Sequence, residues 1–320
     1  MNTEESPSRS KADQQALLDI WHRQRRWSEA ANQLRTALDS TRQVVLLLTI
    51  ATATLAVASE QLNNPPNVQR LLQCGAAITA ALGSWLGRRN PSNAIRTWTA
   101  ARTVAEGLKS EVYMCLAGGK AYQQPEPGQA LRERASRILE EATDSAPALE
   151  RVILNVDADA KPLPAVFDLA SYLKLRVEEQ IQGYFEKRAR TYEQRQKRLH
   201  RMADGLGILA IIMTTAASVL NWKGLAVWVP AITTISAALA AHRTACRYEE
   251  QVIDYLRTAR RLQALLNHHQ DSGLSAAEMI EACETELAAA NRSWRLGWNA
   301  IPSVAATATD SEASPRAAGD

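Results

Sequence analysis

Charge is missing where the chain is most apolar. Between Gly205 and Ala241, 37 residues carry one formal charge, Lys223, in a chain that is 22% charged overall. Cysteines are few: Cys74, Cys115, Cys246 and Cys283 are scattered, with no CxxC pair among them. That pattern argues against a disulfide framework or a zinc site and fits a reducing compartment. The opening stretch MNTEESPSRSKADQQ has no hydrophobic segment, so a secretory leader is not expected. Residues 1–13 and the tail 301–320 are expected to be disordered. Catalytic signatures are lacking as well. His22, His200, His242, His268 and His269 form no HExxH motif, there is no GxSxG, and Gly118-Gly119-Lys120 lacks phosphate-loop spacing. The GxGxxA match at Gly205–Ala210 follows an Arg/Lys-rich helical stretch rather than a strand, which excludes the dinucleotide fold. No Asp, Glu or His lies inside an apolar run, apart from Glu60 at one end; an internal one would mark an ion relay. No catalytic residue, metal ligand or cofactor is therefore expected, and neither an enzyme nor a secondary transporter.

Four apolar runs are present: 44–59, 71–87, 205–220 and 225–241. With their flanks they define candidate spans at about 44–62, 71–88, 204–221 and 224–242, near the lower limit of the roughly 17 to 25 residues a bilayer-crossing helix needs. None has a polar face beyond Ser, Thr and small residues. A helix apolar all round is either enclosed in a large protein or faces lipid, and 320 residues leave little room to enclose four. The expected fold is therefore all-α: an integral membrane protein with four transmembrane helices in two hairpins and cytoplasmic helical bundles. Pro65 and Pro66 break the chain between the first two runs, and Asn221-Trp222-Lys223-Gly224 turns it between the last two.

The spans are rich in Ala, Thr and Gly, so helix association should support insertion. Gly75, Thr79, Gly83 and Gly87 fall at four-residue steps, as do Thr233, Ala237 and Ala241, and both sets are expected helix-packing faces. Twenty-one Lys and Arg residues flank the spans within about 20 residues, against Arg70 and Lys223 in the two turns. The positive-inside bias then puts both termini and the middle segment in the cytoplasm. The densest group, Lys187, Arg188, Arg190, Arg195, Lys197, Arg198 and Arg201, is expected to lie on anionic lipid heads rather than on nucleic acid.

Each half repeats one plan of charged helix, hairpin and charged helix, with the boundary near 157–164, giving domains at 14–163 and 164–300. The pieces that carry a resemblance are, in the first half, IWHRQRRWSEAANQLRTAL, its hairpin, and RTWTAARTVAEGLKSEVYMCLAGG with Trp98, Arg102, Lys109, Ser110, Glu111 and Tyr113. In the second half they are YLKLRVEEQIQGYFEKRA, its hairpin, YEEQVIDYLRTARRL and ETELAAANRSW ending at Trp294. These resemble two different subtypes of the SLATT family, the SMODS and SLOG-associating two-transmembrane effector domains. The resemblance implies a non-enzymatic effector of a prokaryotic conflict or anti-phage system, a homo-oligomer that permeabilises the inner membrane. The trigger would be a signal, nucleotide-derived in kind, from a separately encoded synthase or sensor. It makes Thr49, Thr52, Thr54, Thr233, Thr234 and Ser236 the candidate pore-lining residues. The rival expectation is a membrane-anchored scaffold that recruits a cytoplasmic partner.

Overall fold

The computed structural model of the chain describes residues 10–61, 65–88, 91–145, 149, 161–269, 271 and 273–299. The terminal segments expected to be disordered fall largely outside these residues, as do the turn at 62–64 and most of the boundary segment. Among the described residues the regular elements are all helical: α1 (Lys11–Gln61), α2 (Pro66–Arg88), α3 (Pro91–Ala117), a 3₁₀ turn (Lys120–Tyr122), α4 (Pro127–Ser145), α5 (Leu169–Tyr172), two π-helical segments (Leu173–Glu178 and Gln180–Glu186), α6 (Lys187–Val219), α7 (Lys223–Ala226), α8 (Trp228–Cys246), α9 (Tyr248–His268) and α10 (Ala276–Asn299). Three continuous helical stretches, Lys11–Gln61, Leu169–Val219 and Gly224–His268, are long and apolar enough to cross a membrane. In the most apolar window of Leu169–Val219 no residue is buried. An apolar helix left uncovered by its own protein needs an apolar solvent, and the chain is an all-α membrane protein. Helix α2 is not one of these three, and it buries none of its residues.

The chain divides into two compact units, each drawing on both sequence halves. The first comprises Met1–Arg35, Asn90–Tyr172 and Leu274–Asp320. Its core is a water-soluble one. Trp98 meets Trp294 and Trp298 edge-on, with ring centroids 4.9 and 5.1 Å apart, and Leu108, Val112, Leu131, Ile280 and Cys283 are fully enclosed around the α3–α4–α10 contact. Its helix starts are capped. Ser275 Oγ accepts from the Glu278 amide while Glu278 Oε2 accepts from the Ser275 amide at 2.9 Å, a reciprocal capping box on α10. Asp13 Oδ1 accepts from the Gly128 amide at 2.8 Å, and glycine is required there: a Cβ on residue 128 would sit 2.9 Å from the Asp13 Cα.

The second unit comprises Thr36–Arg89 and Leu173–Gly273. Its π-helical segments have a reason in the sequence. Leu173, Val177, Ile181, Phe185 and Ala189 recur every four residues, and all are buried. In an α-helix of 3.6 residues per turn such a stripe drifts about 40° per step, carrying Ala189 to the face opposite Leu173. Widening the turns with i→i+5 bonds takes up the excess, so Ile181, Phe185 and Ala189 face α9 together, and Phe185 and Tyr184 meet Tyr255 there. The second hairpin turns at Asn221, whose positive φ of 49° suits asparagine. The Trp222 amide closes the end of α6 by bonding the Ala217 carbonyl at 3.1 Å.

Candidate membrane-spanning site

Within the second unit, α1, α2 and α8 enclose an open groove of about 480 Å³. Its walls are small and apolar, Ala53, Ala56, Ala80, Gly83 and Ala231 among them. Hydroxyls punctuate them at Thr49, Thr52, Thr79, Ser84 and Thr234. Three of the six candidate pore-lining residues, Thr49, Thr52 and Thr234, thus share one groove. Thr54 and Thr233 are exposed outside its lining and bond the Ile50 and Pro230 carbonyls. Ser236 also lies outside the lining, and its Oγ is enclosed with no hydrogen-bond partner among the described residues. Thr79 and Ser84 line the groove and were missed as lining residues from sequence; only the pairing of helices reveals them.

Four of the five groove hydroxyls spend their protons close to home. Thr49 donates to the Val45 carbonyl at 2.9 Å, Thr234 to Pro230 at 2.7 Å, and Thr79 to Gly75 at 2.9 Å. Thr52 and Thr79 meet across α1 and α2 at 2.8 Å. This inter-helix bond ties the hairpin where small residues bring the backbones together. Positions 75 and 83 behave as packing positions: a Cβ there would lie 3.4 Å from Leu55 Cδ1 and 3.6 Å from Leu48 Cβ. A Cβ on Gly87 would meet nothing within 4 Å, and Thr233, Ala237 and Ala241 form an exposed stripe on α8. The second set of small residues is thus open within the chain.

Large apolar side chains face outward around this groove. Leu47, Leu71, Ile78, Ile208, Ile211 and Val219 are all exposed, and Trp85 and Trp222 are exposed near helix ends, where amphipathic rings suit a membrane–water boundary. All seven basic residues from Lys187 to Arg201 are exposed on α6. Arg190 pairs with Glu186 at 2.9 Å and Lys197 with Glu193 at 2.6 Å, while Arg188 and Arg195 lie over Tyr184 and Tyr192. Lys187 and Arg190 also line a concavity, distinct from the rest of the group.

The first unit holds a buried polar cluster that chemistry-by-motif does not flag. Glu284 accepts from Ser110 Oγ at 2.7 Å and from Tyr172 OH at 3.0 Å; Glu111 accepts from Tyr122 OH at 2.5 Å, with Arg134 at 3.5 Å. Burial pushes the Tyr122 phenol up, and the Glu111 carboxylate adds to this, so it stays protonated and donates. Arg102 stacks over the Trp294 ring, 4.3 Å from its centroid. Ser110, Glu111, Trp98, Arg102 and Trp294, all in the pieces that carry the sequence resemblance, meet here as fold-holding contacts.

Residues 172–294 match the family model described as SMODS and SLOG-associating 2TM effector domain 1, and residues 23–130 match that of a protein family of unknown function, DUF4231. The second of the two expected SLATT-like domains is thus matched over most of its length, while the first is similar to a separate family. No curated protein matches the chain, and no solved structure does.

Proposed function

We propose that the chain is a membrane effector of a prokaryotic conflict or anti-phage system, without enzymatic activity, that assembles in the inner membrane and permeabilises it on a signal. The single observation that carries this reading is the hydroxyl-punctuated groove of α1, α2 and α8, set among outward-facing apolar side chains in a chain whose 172–294 segment is similar to a two-transmembrane effector domain. Four spans in two hairpins, both termini in the cytoplasm, and Arg198 and Arg201 at the bilayer end of the basic stretch against lipid headgroups complete the reading. Homo-oligomers form through the open small-residue faces at Gly87 and at Thr233, Ala237 and Ala241. One observation favours the scaffold reading instead: Thr49, Thr79 and Thr234 donate to carbonyls of their own helices, which leaves few donors to stabilise water or ions in the groove.

Expression in bacteria with a voltage-sensitive dye, followed by alkaline carbonate washing of the membranes, separates the two. Retention in the pellet with collapse of the potential is the effector outcome. Retention with the potential intact after co-expression of a candidate signal synthase supports the scaffold. Release into the supernatant removes both.

A further inference from the structure

The seven basic residues of α6 do not share one environment. Lys187 and Arg190 line an open concavity of about 640 Å³ together with Gln182, Glu186, Thr191, Gln194 and Gln263, contributed by the second π-helical segment, the first turns of α6, and α9. The volume is within the range of small-molecule sites, roughly 300 to 1,000 Å³. The lining is polar rather than greasy: an ammonium, a guanidinium, a hydroxyl and three amides against one carboxylate. Arg190 is oriented by Glu186 at 2.9 Å. Gln263 donates to Asn267 at 3.0 Å. The side chains of Gln182, Lys187 and Gln194 have no hydrogen-bond or ion-pair partner among the described residues, so their donors are unspent. Such a set is complementary to a phosphate: charge from Lys187 and Arg190, and neutral donors to fix orientation.

Depth decides which phosphate. Helix α6 runs unbroken from Lys187 to Val219, with the span beginning near Asp204. At 1.5 Å per residue, Arg201 is about 5 Å of helix from that point, Arg190 about 21 Å and Lys187 about 25 Å. The polar headgroup layer is only about 5 to 8 Å deep on each side of the hydrocarbon. Even a tilt of about 40° leaves Lys187 roughly 19 Å away, beyond the reach of headgroups and past a Debye length of about 8 Å at physiological salt. Arg201 and Arg198 are placed to touch lipid; the concavity is not.

We propose that this concavity binds a soluble, phosphate-bearing small molecule, and that Lys187 and Arg190 are its phosphate-holding pair. The proposal gives a ligand class to the effector reading and relies on that reading only for where the bilayer begins. Binding is measured without any leakage assay, so the two can fail separately.

The test uses the full chain in nonionic detergent with pyrophosphate as the probe, by titration calorimetry, and in parallel the binding of the same protein to phosphatidylglycerol vesicles. The variants are the pair Lys187→Gln with Arg190→Gln, and the pair Arg198→Gln with Arg201→Gln; all four side chains are exposed, and circular dichroism checks that each variant folds. The expected result is a loss of pyrophosphate affinity of tenfold or more in the first pair and none in the second, with vesicle binding weakened in the second only. Absence of pyrophosphate binding by the parent protein overturns the proposal. So does equal affinity in parent and first pair. If the first pair loses vesicle binding while pyrophosphate binding is unchanged, the concavity is a lipid site and the soluble-ligand assignment is wrong.

Discussion

The two compact units solve opposite problems with the same kind of helix. The first conceals what is costly to hydrate: Trp98 is 3% exposed, Trp294 and Trp298 are scarcely more so, and Glu284 is buried only because Ser110 and Tyr172 both donate to it. The second leaves Ile211 at 68% and Leu71 at 71% exposed and encloses few of its span residues. In water, burial of apolar surface holds helices together at about 25 cal/mol per Å². In lipid that drive is absent, and close backbone approach with inter-helix hydrogen bonds takes over. Gly75, Gly83 and the Thr52–Thr79 bond are what such packing uses, and they occur in the second unit. The lesson is that exposure of a Leu means different things in the two units, and that mutations should act by different routes.

The largest effect should come from the first unit. Trp98→Ala removes the ring that both Trp294 and Trp298 meet edge-on and leaves a cavity in a closed core, at a cost of about 3 to 5 kcal/mol. Tryptophan fluorescence should lose its cooperative thermal transition, while carbonate-washed membranes retain the protein, because the apolar spans are untouched. If Trp98→Ala also releases the protein from membranes, the two units are not energetically separable and the contrast above fails.

A smaller effect is expected in the second unit. Leucine at position 83 sets its Cβ in contact with Leu48, 3.6 Å away, and the rest of its side chain must enter the groove between α2 and α1; overpacking of this kind costs about 1 to 3 kcal/mol. Gly87→Leu is the matched control, since nothing lies within 4 Å of a Cβ there. Cysteine cross-linking between α1 and α2 should fall in Gly83→Leu and be unchanged in Gly87→Leu. A loss of higher oligomers on native gels in Gly87→Leu alone would place that face between copies. Equal cross-linking in both variants would mean that α2 does not lean on α1 through Gly83.

Much of this contrast was legible in the sequence, for a physical reason. The spans announce themselves because lipid tolerates no charge, so Gly205–Ala241 could be read without knowing its neighbours. Between the halves the sequence points to one short helix at about 129–143, and α4 occupies Pro127–Ser145, starting on a proline. The groove was legible only in part. Thr49, Thr52 and Thr234 stand out as hydroxyls, but nothing local says that α8 joins α1 and α2, so Thr79 and Ser84 were missed as lining residues. The π-helical segments were visible in principle, since Leu173, Val177, Ile181 and Phe185 repeat at four rather than 3.6 residues. The make-up of the compact units was not legible at all: it depends on pairings such as Trp98 with Trp294, almost 200 residues apart.

The subtlest difference between the units concerns phenols and pH. In the second unit, burial pushes the Tyr248 hydroxyl up to about 12, with the neighbouring Cys246 adding to it. Burial likewise raises the Cys246 thiol. An unfolded tyrosine titrates near pH 10 and an unfolded cysteine near 8.5. The folded state therefore holds both protons more tightly than the unfolded one, and linkage makes its stability fall with rising pH wherever only the unfolded form has lost them. The contribution is complete below about pH 8, declines first through Cys246, and then declines again from about pH 10 to 12 as Tyr248 follows. Thermal unfolding of the detergent-solubilised chain from pH 8 to 12 should show this two-stage loss. Tyr248→Phe should remove the upper stage, and Cys246→Ala should remove the lower and narrow the upper, since Cys246 adds to the Tyr248 shift. Because Tyr248 is only half-buried, the change is expected to be the smallest of those argued here. An upper stage that persists unchanged in Tyr248→Phe would assign it to a different phenol, Tyr122 of the first unit being the one whose proton is held more tightly still.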